Sequence, residues 1–151
     1  MLYGDNMIKL HKKSQVLDSI KELCLEFAAL GGKKPNWEFW RNGTGSLIDN
    51  GVAECLIAYN KDAQPIGFLI YALFPDLISG ELNATEMLWY ADKNSSLAGV
   101  RLLDKMIVCA KNKKCFNVNV TNMTFNPKVG DYLNKQGFIH TESHHTLRLV
   151  Y

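Results

Sequence analysis

Apolar residues fall along this chain in two periodicities. Over residues 14–30, Val16, Leu17, Ile20, Leu23, Cys24, Phe27 and Leu30 recur at helical spacing. That pattern predicts an amphipathic helix with Ser14 as N-cap and Gly31-Gly32 as its end. Residues 33–43 hold Pro35 with Trp37, Phe39 and Trp40 and read as a linker, followed by a short helix over 44–50 capped by Thr44. Strands are expected at 53–59, 66–74 and 82–90. The second is nearly continuous in apolar residues and should be buried on both faces. The links "NKDAQP" and "PDLISG" are short, which favours an antiparallel meander.

Helical periodicity returns over residues 97–112, where Val100, Leu103, Met106, Ile107 and Ala110 form one stripe. Lys111, Lys113 and Lys114 near its end complement the helix dipole. Phe116, Val118 and Val120 alternate with asparagines in a strand over 116–120. A strand–helix–strand unit of this kind implies a parallel pair. Pro127 suits a first helical turn, and that helix should run to about Gln136, where Gly137 stops it. Residues 138–143 and 146–151 are expected to close the chain as a hairpin. The whole predicts an α/β (α+β) fold: a mixed, mostly antiparallel central sheet of about six to seven strands, with helices on both faces, forming a single domain over residues 1–151.

Composition changes this picture little. The chain is 47% hydrophobic and 21% charged, as expected of a globular protein with a real core. No apolar run reaches the roughly 18 residues of a membrane span. No basic region leads into an apolar stretch and a cleavage site at the N-terminus, so no secretion signal is expected. Cys24, Cys55, Cys109 and Cys115 are spaced by 31, 54 and 6 residues and sit among apolar neighbours. No pair makes a CxxC metal motif, which fits reduced core thiols in a cytoplasmic protein and no bound metal. His144 and His145 are adjacent and point to opposite faces of any strand; with His140 they read as a turn with solvent-facing rings.

Charge is uneven. Residues 1–50 carry seven basic and six acidic side chains (+1), residues 51–100 two and six (−4), and residues 101–151 eight and three (+5). An acidic middle suits a cationic ligand and a basic last third an anionic one, or the solvated faces simply differ. Binding of nucleic acid is not expected: Lys111, Lys113 and Lys114 sit at a helix end rather than among stacked aromatics.

The stretch "ADKNSSLAGVRLLDKM", residues 91–106, is a loop leading into a helix. Such a start offers free N–H groups and the positive end of a dipole to an anion. Ser95 and Ser96 are small hydroxyl donors, Gly99 has no Cβ to block an approaching diphosphate, and Arg101 stands one turn in. Leu97 is the residue able to crowd the cradle. The alternative is plain capping by Asn94 or Ser95, with Gly99 packed on the sheet.

The element order, with "QPIGFLIYALF", "ATEMLWYAD", "GVRLLDKMIVCAKNKKC" and "NPKVGDYLNKQGFIHTE", resembles the GNAT superfamily of N-acetyltransferases, its small phage- and bacterium-type members above all. The resemblance covers roughly residues 52–151. In the family the loop before the third of these segments follows Gln/Arg-x-x-Gly-x-Gly/Ala; here it reads Asn94-Ser95-Ser96-Leu97-Ala98-Gly99, and only its last position keeps the usual type.

The resemblance implies acetyl-CoA as donor and an amine-bearing small molecule or protein as acceptor, with no membrane partner. It places the pantetheine against the backbone of Leu88, Trp89 and Tyr90, and the pyrophosphate on residues 94–101, Ala98 and Val100 included. Glu86 is the candidate general base, or else a solvent-facing glutamate; as a strand residue it should share a face with Leu88 and Tyr90. Tyr132 is the candidate acid, one position earlier than the family's usual tyrosine, which here is Leu133. Asn126 either caps the last helix or touches the cofactor. Trp37 and Trp40 either wall an acceptor pocket or fill core. A catalytically inactive GNAT-like module acting on a protein partner is the alternative function, and an exposed sheet edge near Tyr151 leaves a homodimer open.

Overall fold

The structure is a computed structural model that describes residues 7–122 and 127–151. They belong to two compact units, Met1–Val120 and Thr121–Tyr151.

The first unit is built on a five-stranded sheet in the order β1-β2-β3-β4-β5: β1 (Ile8–His11), β2 (Ala53–Tyr59), β3 (Pro65–Pro75), β4 (Leu82–Ala91) and β5 (Asn117–Asn119). The first four run antiparallel, as the short links demand, and β5 pairs parallel with β4 after a helical crossover. The expected meander and parallel pair are both present. The strand count is lower than the sequence suggests. β1 is an addition to the expected strands, and no helix or strand forms over residues 138–151, where a hairpin is expected.

Helices cover both faces of this sheet. On one face a 3-10 helix (Ser14–Ile20), α1 (Lys21–Leu30) and α2 (Trp37–Asp49) bury Leu17, Ile20, Leu23 and Ile48 against Cys55, Ile57, Phe68 and Ile70. On the other lies α3 (Ser96–Asn112), whose Leu102, Leu103 and Met106 are fully buried. β3 is buried on both faces from Gly67 to Tyr71, as its unbroken apolar run requires. Gly67 is where helix and sheet meet most closely: a Cβ there would lie 3.1 Å from both Leu102 Cδ1 and the Tyr90 carbonyl oxygen.

The first helical segment differs from expectation. It begins as a 3-10 helix without a side-chain cap, and the amide of Ser14 instead donates to Asp49 Oδ1 at 2.9 Å, tying it to the end of α2. The expected linker at 33–43 is mostly helix. α2 starts at Trp37, capped by Asn36, whose Oδ1 accepts from the Phe39 amide at 3.1 Å, so Thr44 is a buried mid-helix residue rather than a cap.

The second unit contains α4 (Pro127–Lys135). Gly137 ends it in the left-handed region at φ 90°, with the Phe138 amide donating back to the Leu133 carbonyl at 3.0 Å. Leu133 is buried and Tyr132 half-buried.

Candidate active site

β4 is where the sheet opens. β5 pairs with it only at Asn83, Ala84 and Thr85, so among the described residues Glu86 to Ala91 have a strand neighbour on the β3 side alone. The register against β3 also slips. Tyr71 faces Glu86 and Ile70 faces Leu88, which leaves Met87 without a partner across the ladder. An extra residue of this kind is a β-bulge, which bends the strand and re-aims the side chains beyond it.

The bulge corrects the expectation that Glu86, Leu88 and Tyr90 share a face. Paired residues point the same way, and Tyr71 and Ile70 point opposite ways. Glu86 therefore lies on the α3 face, where it is buried at 9% exposure. Leu88 and Tyr90 pack with Phe68 and Ile70 on the α1 side. Period-two alternation fails here because one residue has been inserted.

Tyr90 rests on the rings of Phe27 and Phe68, and its hydroxyl donates to Glu26 Oε2 at 3.2 Å. Burial pushes its phenol up, and so do the bond to Glu26 and the charges of Glu26 and Asp92. Glu26, on α1, does not stand out in the sequence: it sits on the polar side of the helix like any solvated glutamate, and only the fold brings it to β4. Trp89 points to α3, and its Nε1–H donates to the Gly99 carbonyl at 3.0 Å.

The head of α3 is held by the loop before it. Asp92 Oδ1 accepts from the Asn94 amide at 3.0 Å, and the Asp92 carbonyl accepts from the Ser95 amide at 2.7 Å. Ser95 stands at the N-cap, and its side chain makes no capping bond. Gly99 is buried and turned to the sheet, where a Cβ would meet Ala91 Cβ at 3.5 Å; its bare side faces β4 rather than an approaching anion. Leu97 is 48% exposed.

Beside this helix head lies a cavity of about 140 Å³. Met7, Ile8, Ala58 and Ile66 line it from the strand side, and Asn94, Ser95, Leu97, Ala98 and Arg101 from the loop and helix. The strand-side residues carry no signal in the sequence, because the short β1 that brings Ile8 to the cavity is itself hard to see there.

Trp37 and Trp40 stack at 5.1 Å between ring centroids at the start of α2; Lys21 Nζ lies 5.7 Å above Trp37, and Trp40 packs on the core. A shallow surface hollow nearby is lined by Asn36, Glu38, Phe39, Asn42 and Gly43 rather than by either tryptophan. Tyr132 sits on α4 in the second unit, and Asn126 lies outside the described residues. His140, His144 and His145 are exposed, with His144 Nε2 3.3 Å from Glu142.

A second buried carboxyl lies on the α3 face, across Tyr71 from Glu86. The Glu54 side chain on β2 is 4% exposed, with Lys113 Nζ at 3.3 Å and Lys12 Nζ at 3.9 Å. It shares the α3 face with the fully buried Tyr71, whose phenol is pushed up by burial, then by Cys109 and Glu54. Burial also pushes the thiols of Cys24 and Cys55 up to about 12, so these two behave as small apolar side chains.

No family model and no curated protein matches the sequence. Solved structures do match in fold. A probable acetyltransferase, 15% identical, superposes with a TM-score of 0.79 over 95% of this chain and 98% of its own. A ribosomal-protein-alanine N-acetyltransferase from Brucella melitensis biovar Abortus 2308 is 16% identical, with a TM-score of 0.72 over 94% and 99%. An aminoglycoside acetyltransferase from an uncultured soil metagenomic sample is 17% identical, with a TM-score of 0.74 over 97% and 99%. The chain has the fold of the GNAT-type acetyltransferases. Among its described residues no helix is long and apolar enough to cross a membrane.

Proposed function

We propose that this chain is an N-acetyltransferase that moves the acetyl group of acetyl-CoA to an amine. The observation that carries the reading is the opening of the sheet at β4. From Glu86 onward one edge of the strand faces no other strand among the described residues, with the bulge at Met87 at its start and the uncapped head of α3 beyond its end. Backbone groups along such an edge can pair with the amides of a pantetheine arm as if it were an added strand. Amides at the start of a 17-residue helix suit the diphosphate. The residues present therefore fit acetyl-CoA, which supplies an acetyl thioester when bound.

Leu88, Trp89 and Tyr90 hold the pantetheine arm through their backbone, and residues 94–101 hold the diphosphate. The amine nitrogen bonds to the acetyl carbon and the carbon–sulfur bond breaks. Glu86, buried on the α3 face beside the bulge, takes the proton the amine loses. Water can protonate the departing thiolate; Tyr132, the acid that the resemblance implies, belongs to the second unit. An amine acceptor fits the acidic middle of the chain.

Titration calorimetry with acetyl-CoA, followed by thiol release on adding a panel of amines, tests this. Saturable binding and amine-dependent thiol release are expected. No binding at millimolar acetyl-CoA removes the reading.

A further inference from the structure

We propose that two copies of this chain pair through the end of the sheet where the β3–β4 turn and Phe116 stand side by side. The dimer is two-fold and sets the acidic turn of each copy on the basic end of α3 in the other. All the residues concerned belong to the first unit, and none has a part in the acetyl transfer proposed above, so the two readings stand or fall separately. Leu77, Ile78 and Phe116 are 86%, 99% and 68% exposed. Single exposed apolar side chains are ordinary, but these are neighbours. The Phe116 amide donates to the Leu82 carbonyl at 2.8 Å, and Leu82 pairs with Pro75. On the next rung the Asp76 amide donates to the Glu81 carbonyl at 2.8 Å, and the turn lies just beyond.

The turn holds its apolar side chains outward. Asp76 Oδ1 accepts from the amides of Ile78 and Ser79 at 2.9 and 2.7 Å. The Asp76 carbonyl accepts from the Gly80 amide at 2.8 Å, and Gly80 takes the left-handed backbone at φ 74°. With these bonds already made, little ordering remains to be done on association. The polar residues of the turn close it, and Leu77 and Ile78 are left facing out.

The charges say which partner fits. Asp76 and Glu81 flank the turn, and the bonds from Ser79 and Ile78 hold the Asp76 carboxyl below the usual carboxylate range, so it is charged at neutral pH. On the other side of Phe116 is the end of α3, where Lys111 and Lys114 are exposed and Lys114 reverses the chain at φ 57°. Lys113 between them is held by Glu54. The patch therefore runs from acid through apolar to base. Rotated by half a turn it is its own complement, with acid on base twice and apolar on apolar at the axis. A nucleic acid or an anionic lipid surface would be repelled by Asp76 and Glu81, whereas a second copy meets opposite charge at both ends.

Sedimentation of the full chain tests this. The wild type should reach twice the mass of one chain with a micromolar dissociation constant, the strength of a small transient interface. Ile78→Asp and Phe116→Asp should each leave monomers. Glu81→Lys and Lys114→Glu should each weaken self-association by about tenfold or more, because each sets like charges together at both junctions. Mixing these two variants should restore a heterodimer of wild-type affinity, since both junctions are then opposite in sign.

A wild-type chain that stays monomeric at near-millimolar concentration overturns the proposal. So does a dimer that the apolar and charge variants leave intact, or a mixture of the charge variants that associates no more tightly than either alone. Circular dichroism checks the fold of each variant; where an apolar variant does not fold, the charge variants and their mixture decide. Each of these results leaves the acetyl-CoA titration, and the reading it tests, untouched.

Discussion

The indole of Trp89 on β4 is fastened to the carbonyl of Gly99 in α3 by a 3.0 Å hydrogen bond. It joins the strand proposed to carry the pantetheine to the helix proposed to carry the diphosphate, and so sets the distance between two parts of one site. Trp89→Phe keeps most of the ring and removes the donor. It should destabilise the protein by about 1–2 kcal/mol in urea denaturation, the range for losing a half-buried bond and leaving its acceptor unpaired. Acetyl-CoA affinity should fall with it, because the two supports are no longer locked together. A variant with unchanged stability and unchanged affinity would show the bond to be incidental.

The two glycines at this junction should answer differently to alanine. A Cβ on Gly99 meets Ala91 Cβ at 3.5 Å, an ordinary contact, and alanine is the better helix former by up to about 1 kcal/mol. Gly99→Ala should therefore be neutral or stabilising and leave cofactor binding intact. A Cβ on Gly67 lies 3.1 Å from the Tyr90 carbonyl and 3.2 Å from Ala91 Cα, and that backbone has nowhere to go. Gly67→Ala should lower the unfolding midpoint clearly. The reverse order in thermal melts would refute this packing of helix on sheet.

The meander and α3 are legible in the sequence because their apolar periods are long and unbroken, and the turns between strands are rich in Asn, Asp, Gly and Pro. β1 is not, because four residues, Ile8 to His11, carry too short an alternation to stand out next to Lys12 and Lys13. α2 is hidden by its own composition. Asn42, Gly43 and Gly45 are weak helix formers, yet Gly45 is there for close packing, since a Cβ would come within 3.0 Å of Ser14 Cβ. The bulge at Met87 has no glycine or proline to announce it. For that reason the sequence shows Glu86 as a strand residue but points to the wrong face-mates. The cavity is invisible in the sequence because its walls come from separate stretches of the chain.

Glu86→Gln removes the proposed proton acceptor while keeping the shape of a buried side chain. A general base contributes about 10²–10⁴-fold to rate, so turnover should fall in that range while acetyl-CoA binds as before. Thiol-release kinetics paired with calorimetry separates the two effects. Full turnover in this variant would transfer the role to another group, and loss of cofactor binding would make Glu86 structural.

His11 gives the fold a pH dependence of definite sign. Burial, and then the charge of Lys9, hold its pKa below the ordinary value, and its Nε2 lies 3.0 Å from the Tyr59 hydroxyl. The folded state therefore favours the neutral ring, while the unfolded chain protonates at about 6.5. Below that pH the unfolded state binds more protons, so stability falls as pH drops through about 6.5 and levels off once the folded ring is charged too. Urea midpoints should decrease between about pH 7.5 and pH 5.5, and His11→Gln should shrink the decrease. An unchanged slope would assign the pH dependence elsewhere.

Glu54 poses the sharpest question of stability, because a carboxylate buried on the sheet leans on two lysines from different parts of the chain. Lys113→Met removes the nearer cation, at 3.3 Å, and leaves Lys12 at 3.9 Å. Breaking a fully buried pair by deleting one partner costs about 3–5 kcal/mol. Lys113 is 38% exposed and Lys12 remains, so about 1–3 kcal/mol is expected here. The informative comparison is the double variant Glu54→Met/Lys113→Met. With the carboxylate gone there is no buried charge left to compensate, and stability should recover to near or above the wild type despite the loss of the ion pair. Chemical denaturation of the single and double variants reads this directly. If the double variant is weaker than Lys113→Met alone, the carboxylate itself supports the fold.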